Sequence, residues 1–182
     1  MKQPRFEDLF TEELEDLYDA EKQIAAALPK MSAAASTAEL ASAFEKHLEQ
    51  TCEQVKRLER VFEGMGEEPG NRQCEAMQGL LMEGEKLIRE VEKSPVLDAA
   101  LIAAAQKVEH YEISAYGTAR AMAEMLGQLE TAELLSETLD EEKDTDETLT
   151  EIAESIMTGE AMSDKEHIGG EEPIENEKTN WR

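Results

Sequence analysis

Six side chains that could bind metal ions interrupt the apolar stripes of the predicted helices. They are Glu21, His47, Glu109, Glu112, Glu142 and Asp146. If the turns near Ser36 and Gly127 are the tips of two helical hairpins, the interruptions, with Thr51 one turn after His47, are centred about 15 residues, or roughly 22 Å, from those tips. All of them would then lie at one level of a bundle core. Because a carboxylate is costly to bury without compensation, this convergence predicts a metal site.

The residue types favour iron or manganese as the bound ions. Glu109 and Glu112 are three residues apart, and Glu142 and Asp146 are four apart, so each pair shares a helix face. Hard cations prefer carboxylate oxygens, and an imidazole such as that of His47 adds affinity for iron or manganese. Carboxylate sites in helical bundles commonly hold two such ions. We therefore predict a dinuclear iron or manganese centre.

The metal-binding pattern is incomplete, and each residue alone has a simpler explanation. Dinuclear carboxylate bundles take Glu-x-x-His from each of two helices, but this chain has Glu112 and Thr145 where those histidines would stand. His47 alone could be a packed core histidine, and Glu109 could form an ion pair. The acidic run 140–147 is by itself typical of a solvated helix face. The coincidence of all these residues at one height favours the metal site.

Four long amphipathic helices and a shorter one are predicted to position these residues. They run over 6–35, from Ser36 to the glycines at 64 and 66, over 74–93, from Ser94 to Gly127, and over 129–157. Ser36 followed by Glu39 is a capping signal for the second helix. Ser94 before Pro95 marks the start of the third long helix in the same way.

The connections between these helices predict the fold class. Short loops make consecutive long helices antiparallel, whereas the connection of about 30 residues in the middle lets the second and third long helices run parallel. We therefore expect an all-α, ferritin-like four-helix bundle of two antiparallel hairpins joined by a crossover helix. The bundle should occupy residues 1–158, and residues 159–182 should form a polar, acidic C-terminal tail. Whether Trp181 in this tail docks on a partner subunit is left open by the sequence.

Composition narrows the classes of partner and the compartment. The 182 residues include 43 acidic and 18 basic ones, so the formal charge is −25 and nucleic acid should be repelled. Cys52 and Cys74 do not form a disulfide framework and favour a reducing compartment. The N-terminus lacks the apolar region of a signal peptide, and no apolar run reaches membrane-spanning length. We expect a soluble cytoplasmic protein without nucleic-acid or membrane partners.

Several segments carry a family resemblance that covers roughly residues 6–158. Residues 17–23 (LYDAEKQ), 43–49 (AFEKHLE) and above all 99–116 (AALIAAAQKVEHYEISAY) resemble the YciF/YciE-type ferritin-like stress proteins of bacteria. The resemblance implies a ferritin-like bundle with a crossover helix, a homodimer, a stress-response role and a dinuclear metal centre. By position, the six residues named at the outset match the polar core of that family. One departure is Gln50, where relatives commonly have glutamate.

Two functions from different classes fit these observations. The first is a dinuclear iron or manganese protein that handles peroxide or oxygen during stress, although the pattern identifies no catalytic residue and leaves open whether the protein is an enzyme. The alternative is a non-catalytic helical dimer that acts as a protein-interaction module and keeps a vestigial polar core. Gln50 and the missing Glu-x-x-His motifs favour the alternative. A storage cage or a DNA-protecting protein fits the acidic composition less well.

Overall fold

The part of the chain between residues 5 and 168 folds into five α-helices. A computed structural model describes residues 5–168, with side chains placed as far as Gly159. The helices are α1 (Phe6–Ala34), α2 (Ala38–Met65), α3 (Glu75–Glu90), α4 (Pro95–Met125) and α5 (Leu129–Ile168). The predicted all-α class is therefore confirmed. The last helix continues past the predicted end at residue 157, and residues 169–182, Trp181 among them, lie outside the described part of the chain.

Local sequence signals account for most of the helix ends. Ser94 Oγ accepts a hydrogen bond from the backbone N–H of Leu97 at 3.3 Å, and Pro95 is the first helical residue of α4, as predicted. Gly66 and Gly127 follow α2 and α4 with φ of 70° and 75°. Glycine adopts this left-handed conformation without the steric cost that a Cβ brings.

The start of α2 differs from the prediction. Thr37, and not Ser36, caps the helix, because its Oγ1 accepts from Leu40 N at 3.3 Å. The backbone N–H and hydroxyl of Ser36 instead donate to the buried carboxylate of Asp98, at 2.6 and 2.8 Å. Thr37 N also donates to Asp98, at 3.0 Å. The turn between α1 and α2 is thus tied to the first turns of α4, a contact that no local pattern reveals.

The long helices pair with two neighbours each, and their contacts show the relative directions. Helix α1 packs against α2 and α4, and α5 packs against the same two helices. The Tyr18 hydroxyl of α1 donates a hydrogen bond to Glu59 of α2, and the Ser32 hydroxyl, later in α1, donates to Glu45, which is earlier in α2. The two helices are therefore antiparallel. The short connections around residues 35–37 and 126–128 place α1 beside α2 and α4 beside α5. Helix α3 covers α1 and α4.

A polar layer divides the hydrophobic core into two clusters. One cluster contains Ile24, Phe44, Leu101, Val108 and Leu149 among its members. The other contains Phe10, Leu17, Leu58, Ala119 and Leu135. The layer between them holds buried polar side chains from all four long helices, Glu21, His47, Glu109 and Glu142 among them, so two apolar regions shield it from water. Within the described residues, no helix has both the length and the hydropathy required to cross a bilayer.

Two glycine substitutions should change stability in opposite directions. A Cβ added at Gly117, inside α4, would meet no atom within 4 Å. Gly117→Ala should therefore raise the free energy of unfolding by about 0.5–1 kcal/mol, because alanine loses less backbone entropy in a helix. Gly66→Ala should lower it by about 1 kcal/mol, since Gly66 has φ of 70°. Urea unfolding of both variants checks this, and equal effects at the two positions would contradict the helix assignments.

Candidate metal centre

All four long helices contribute side chains to the polar layer. Glu21 comes from α1, His47 from α2, Glu109 and Glu112 from α4, and Glu142 from α5. The four glutamates are 0% exposed and His47 is 3% exposed. Each of them replaces an apolar residue on the buried stripe of its helix, which is why the amphipathic pattern could locate them.

Four of these residues form a compact group of potential ligands. His47, Glu109, Glu112 and Glu142 each offer an atom within 4.8 Å of the others. Nδ1 of His47 lies 3.5 Å from Glu109 Oε1, and Nε2 lies 3.7 Å from Glu142 Oε2. Both imidazole nitrogens therefore face carboxylates from different helices. These separations leave room for a cation between the groups.

Glu21 of α1 is not one of the four but interacts with two of them. Its Oε1 accepts a hydrogen bond from the hydroxyl of Tyr116, a fully buried side chain of α4. Its carboxyl group also interacts with Glu112, and Glu142 is close enough to raise its pKa by charge repulsion. The structure thus places Tyr116 beside the cluster, where its hydroxyl satisfies one oxygen of Glu21.

Asp146 lies outside the group of four. Its side chain is 25% exposed and 3.4 Å from Nε2 of His110, which is itself 70% exposed. It also accepts a hydrogen bond from Gln106 Nε2 at 3.1 Å. Four residues after Glu142, Asp146 shares its helix face but lies about 6 Å further along the axis. The structure therefore places Asp146 at the rim of the site.

Many oxygen and nitrogen atoms of the cluster have no hydrogen-bond partner among the described residues. They are Glu21 Oε2, His47 Nε2, both carboxylate oxygens of Glu109 and of Glu112, and Glu142 Oε2. Such buried atoms are normally satisfied, because each unpaired one costs about 1–3 kcal/mol. Hard divalent cations take ligands of this kind. The donor set therefore fits one or more metal ions.

Burial controls protonation in the metal-free cluster. Desolvation, followed by repulsion from neighbouring carboxylates, raises the pKa of Glu21, Glu109 and Glu112 well above the usual value. Desolvation raises the pKa of Glu142 to about 7. It lowers the pKa of His47 to about 4, so the imidazole stays neutral, which is its ligand form. A cation that binds here must displace protons from the carboxyl groups.

The raised pKa values predict how the stability of the metal-free protein depends on pH. The folded state holds carboxyl protons that the unfolded state releases above pH 4.5, so stability falls as pH rises toward the folded pKa. The lowered pKa of His47 has the opposite effect, but only below its ordinary value of 6.5. Between pH 6.5 and 8 the carboxyls act alone, and the urea midpoint in EDTA should decrease. A midpoint that rises over this range would contradict the assignment.

Residues that surround the ligands were only partly anticipated. Gln54 of α2 donates to Glu142 Oε1, and Arg57, one turn later, is buried against α5. The helix repeat places Gln54 at the edge of the α2 face that carries His47, whereas Arg57 was not predicted as a buried residue. Its spacing of three from Gln54 places both on one face. This spacing could have indicated that Arg57 faces the neighbouring helix, but an arginine at such a position is usually assigned to the surface.

Comparisons with known proteins agree with this architecture. Residues 5–162 match the model of a domain of unknown function, DUF892. The chain is 49% identical to Protein YciF of Escherichia coli (strain K12) over 154 residues, which are 84% of this chain and 93% of that protein. It therefore spans nearly the full length of this relative.

Two solved structures extend the comparison to three dimensions. The crystal structure of the E. coli stress protein YciF matches with a TM-score of 0.83 and 47% identity, over 87% of this chain and 99% of that one. YcfI from Rhodopseudomonas palustris matches with a TM-score of 0.78 and 42% identity, over 81% and 94%. The chain belongs to the DUF892 family and is a homologue of YciF.

Proposed function

We propose that this protein is a ferritin-like stress-response protein with a dinuclear iron or manganese site in the core of a four-helix bundle. The observation that carries the proposal is the buried group of His47, Glu109, Glu112 and Glu142, in which ligand atoms lie within 4.8 Å and several lack partners among the described residues. The stress role is taken from the relative that is described as a stress protein. A cytoplasmic homodimer remains part of the proposal.

The helix pairing supports the ferritin-like part of the proposal. Antiparallel pairs α1–α2 and α4–α5, with α3 in the connection between them, correspond to two hairpins and a crossover helix. Gln54 contacts Glu142 while Arg57, three residues later, contacts Thr138, so α2 and α5 are also antiparallel. In ferritin-like bundles this arrangement brings ligands from all four helices to one level of the core.

Charge balance supports two ions rather than one. Two divalent cations would compensate the four buried carboxylates of Glu21, Glu109, Glu112 and Glu142, whereas a single cation would leave buried charge without compensation. The neutral imidazole of His47 adds a nitrogen ligand without altering this balance. Asp146, at the rim, would be the weakest candidate of the six predicted ligands.

The chain's own residues would confine the chemistry of such a centre. Iron or manganese, when bound, supplies one- or two-electron exchange with a small oxidant such as peroxide or oxygen. Tyr116 orients Glu21 through its hydroxyl. The two apolar clusters exclude bulk water from both sides. Carboxyl groups with raised pKa can accept and return protons near neutral pH.

Metal content per chain tests the proposal. Protein purified without chelator should contain near two iron or manganese ions per chain by elemental analysis. The double variant Glu21→Ala/Glu142→Ala should contain almost none, and Glu124→Ala, at an exposed position of α4, should match the wild type. Absence of both metals from the wild type after reconstitution under reducing conditions would overturn the proposal.

A second candidate function is a non-catalytic helical dimer that acts as a protein-interaction module. The observation that favours it is the incomplete ligand pattern, with Gln50 and Thr145 where carboxylate or histidine would strengthen a site. In this case the polar layer would hold protons instead of cations, as the raised pKa values of its carboxyl groups allow. A wild type that remains metal-free would favour this function.

A further inference from the structure

A buried arginine lies at the interface of α2 and α5, next to the candidate ligands. Arg57 is 6% exposed. Its Nη1 donates to Thr138 Oγ1 at 2.7 Å and to Glu141 Oε2 at 2.9 Å, and its Nη2 donates to Glu141 Oε1 at 3.0 Å. Because two nitrogens bind the two oxygens of one carboxylate, the guanidinium and the carboxylate are both fixed in orientation.

Gln54 connects this ion pair to the metal-binding cluster. Its side chain is 1% exposed, and its Nε2 donates both to Glu141 Oε2, at 3.0 Å, and to Glu142 Oε1. Both amide hydrogens are therefore used. A flipped amide would direct its carbonyl oxygen at two carboxylates, so the orientation of Gln54 is determined by its neighbours. The chain of contacts runs from Arg57 through Glu141 and Gln54 to Glu142.

The consequence for Glu142 is that one of its oxygens is held and the other is left available. Oε1 is bound by Gln54, whereas Oε2 lies 3.7 Å from His47 Nε2 and has no hydrogen-bond partner among residues 5–159. Glu137, whose Oε1 is 3.0 Å from Arg57 Nη2, and Glu141 together carry one negative charge more than the arginine compensates. What this network transmits to Glu142 is therefore orientation rather than net positive charge.

We propose that Gln54 is a positioning residue for Glu142, held in place by Arg57 through Glu141. The inference rests on the proposed metal site and deepens it, since it states how one ligand presents a single oxygen, Oε2, toward His47. Replacing a residue that hydrogen-bonds a metal ligand without touching the metal typically lowers metal affinity by about 10- to 100-fold. A comparable loss is expected when the donor of Gln54 is removed.

Co²⁺ binding to the full-length protein tests this inference. Gln54→Met removes both donors at similar volume, and Glu141→Gln weakens the hold on Gln54 without touching the cluster. Both should lower Co²⁺ affinity by about tenfold or more and shift the visible absorption bands of the saturated protein. Glu137→Gln is the matched control, because Glu137 pairs with Arg57 from an exposed position and has no contact with Gln54 among the hydrogen bonds of the described residues.

The possible results separate a failure of the positioning role of Gln54 from a failure of the proposed metal site. Unchanged affinity and unchanged bands in Gln54→Met and Glu141→Gln, with a wild type that binds Co²⁺, would overturn the positioning role and leave the metal site standing. A wild type that takes up no Co²⁺ would overturn both. Equal effects of Glu137→Gln and Glu141→Gln would also overturn the inference, since they would reflect general weakening of the interface. Thermal unfolding without metal verifies that every variant folds.

Discussion

Glu112→Met should make the metal-free protein more stable while it abolishes metal binding. Glu112 is fully buried among the carboxyl groups of the cluster, and its polar contact with Glu21 is to another acidic group whose pKa is raised in the same way. Methionine has a similar length and no group to desolvate, so the free energy of unfolding in EDTA should rise by about 1–3 kcal/mol. The gain should be larger at pH 8 than at pH 6, because the unfolded wild type releases the Glu112 proton while the folded wild type, with its raised pKa, retains it, so wild-type stability falls as pH rises.

Urea unfolding in EDTA at both pH values measures this effect. Glu124→Met is the control, because Glu124 lies on the same helix with its side chain 51% exposed, and it should leave the midpoint nearly unchanged. A Glu112→Met variant that is less stable than the wild type in EDTA would show that the contact between Glu112 and Glu21 outweighs the cost of burying the carboxyl group. A site whose ligands destabilise the empty protein is expected when function requires them.

Bound metal should make the wild type more stable than variants that lack one of the ligands. At a free Mn²⁺ concentration about 1,000 times its dissociation constant, binding to the folded state alone adds about 4 kcal/mol. For a chain of this size, such a gain raises the unfolding temperature by roughly 8–16 °C. The variant Glu109→Met should show almost no rise, because Glu109 faces both His47 and Glu142.

Differential scanning calorimetry with and without Mn²⁺ measures this gain. Mg²⁺ at the same concentration is the control, since its small size, strict octahedral preference and slow dehydration suit a site with an imidazole ligand poorly. Equal rises with Mg²⁺ and Mn²⁺ would point to screening of the acidic surface instead of binding in the core. Equal rises in wild type and Glu109→Met would place the bound ion elsewhere.

Periodicity along the chain was sufficient to identify His47 and the four buried glutamates of the cluster. A carboxylate at the centre of an apolar stripe, such as Glu21 or Glu109, is recognisable because the helix repeat assigns every position to a face. The cap formed by Ser94 and the helix ends at Gly66 and Gly127 likewise depend on only a few neighbouring residues. These features depend on local geometry, and for this reason the sequence predicted them.

Side-chain contacts between distant helices required the tertiary structure. Asp98 binds Ser36 because α4 packs beside the turn between α1 and α2, a contact across 62 residues that leaves the cap to Thr37. Arg57 is buried because Glu141, 84 residues later in the chain, supplies its counter-charge. Neither contact has a local signature, since each depends on how two helices are rotated about their axes.

The candidate site contains both kinds of feature, those predictable from local helix geometry and those that depend on helix packing. The sequence by itself determined that Glu21, His47, Glu109, Glu112 and Glu142 face the core at one height, because rise and twist per residue are constant in a helix. Only the tertiary structure decided that Asp146 lies at the rim and that Gln54 holds Glu142. Sharing a helix face does not determine which atoms meet, since that depends on the separation and rotation of the helices as they pack.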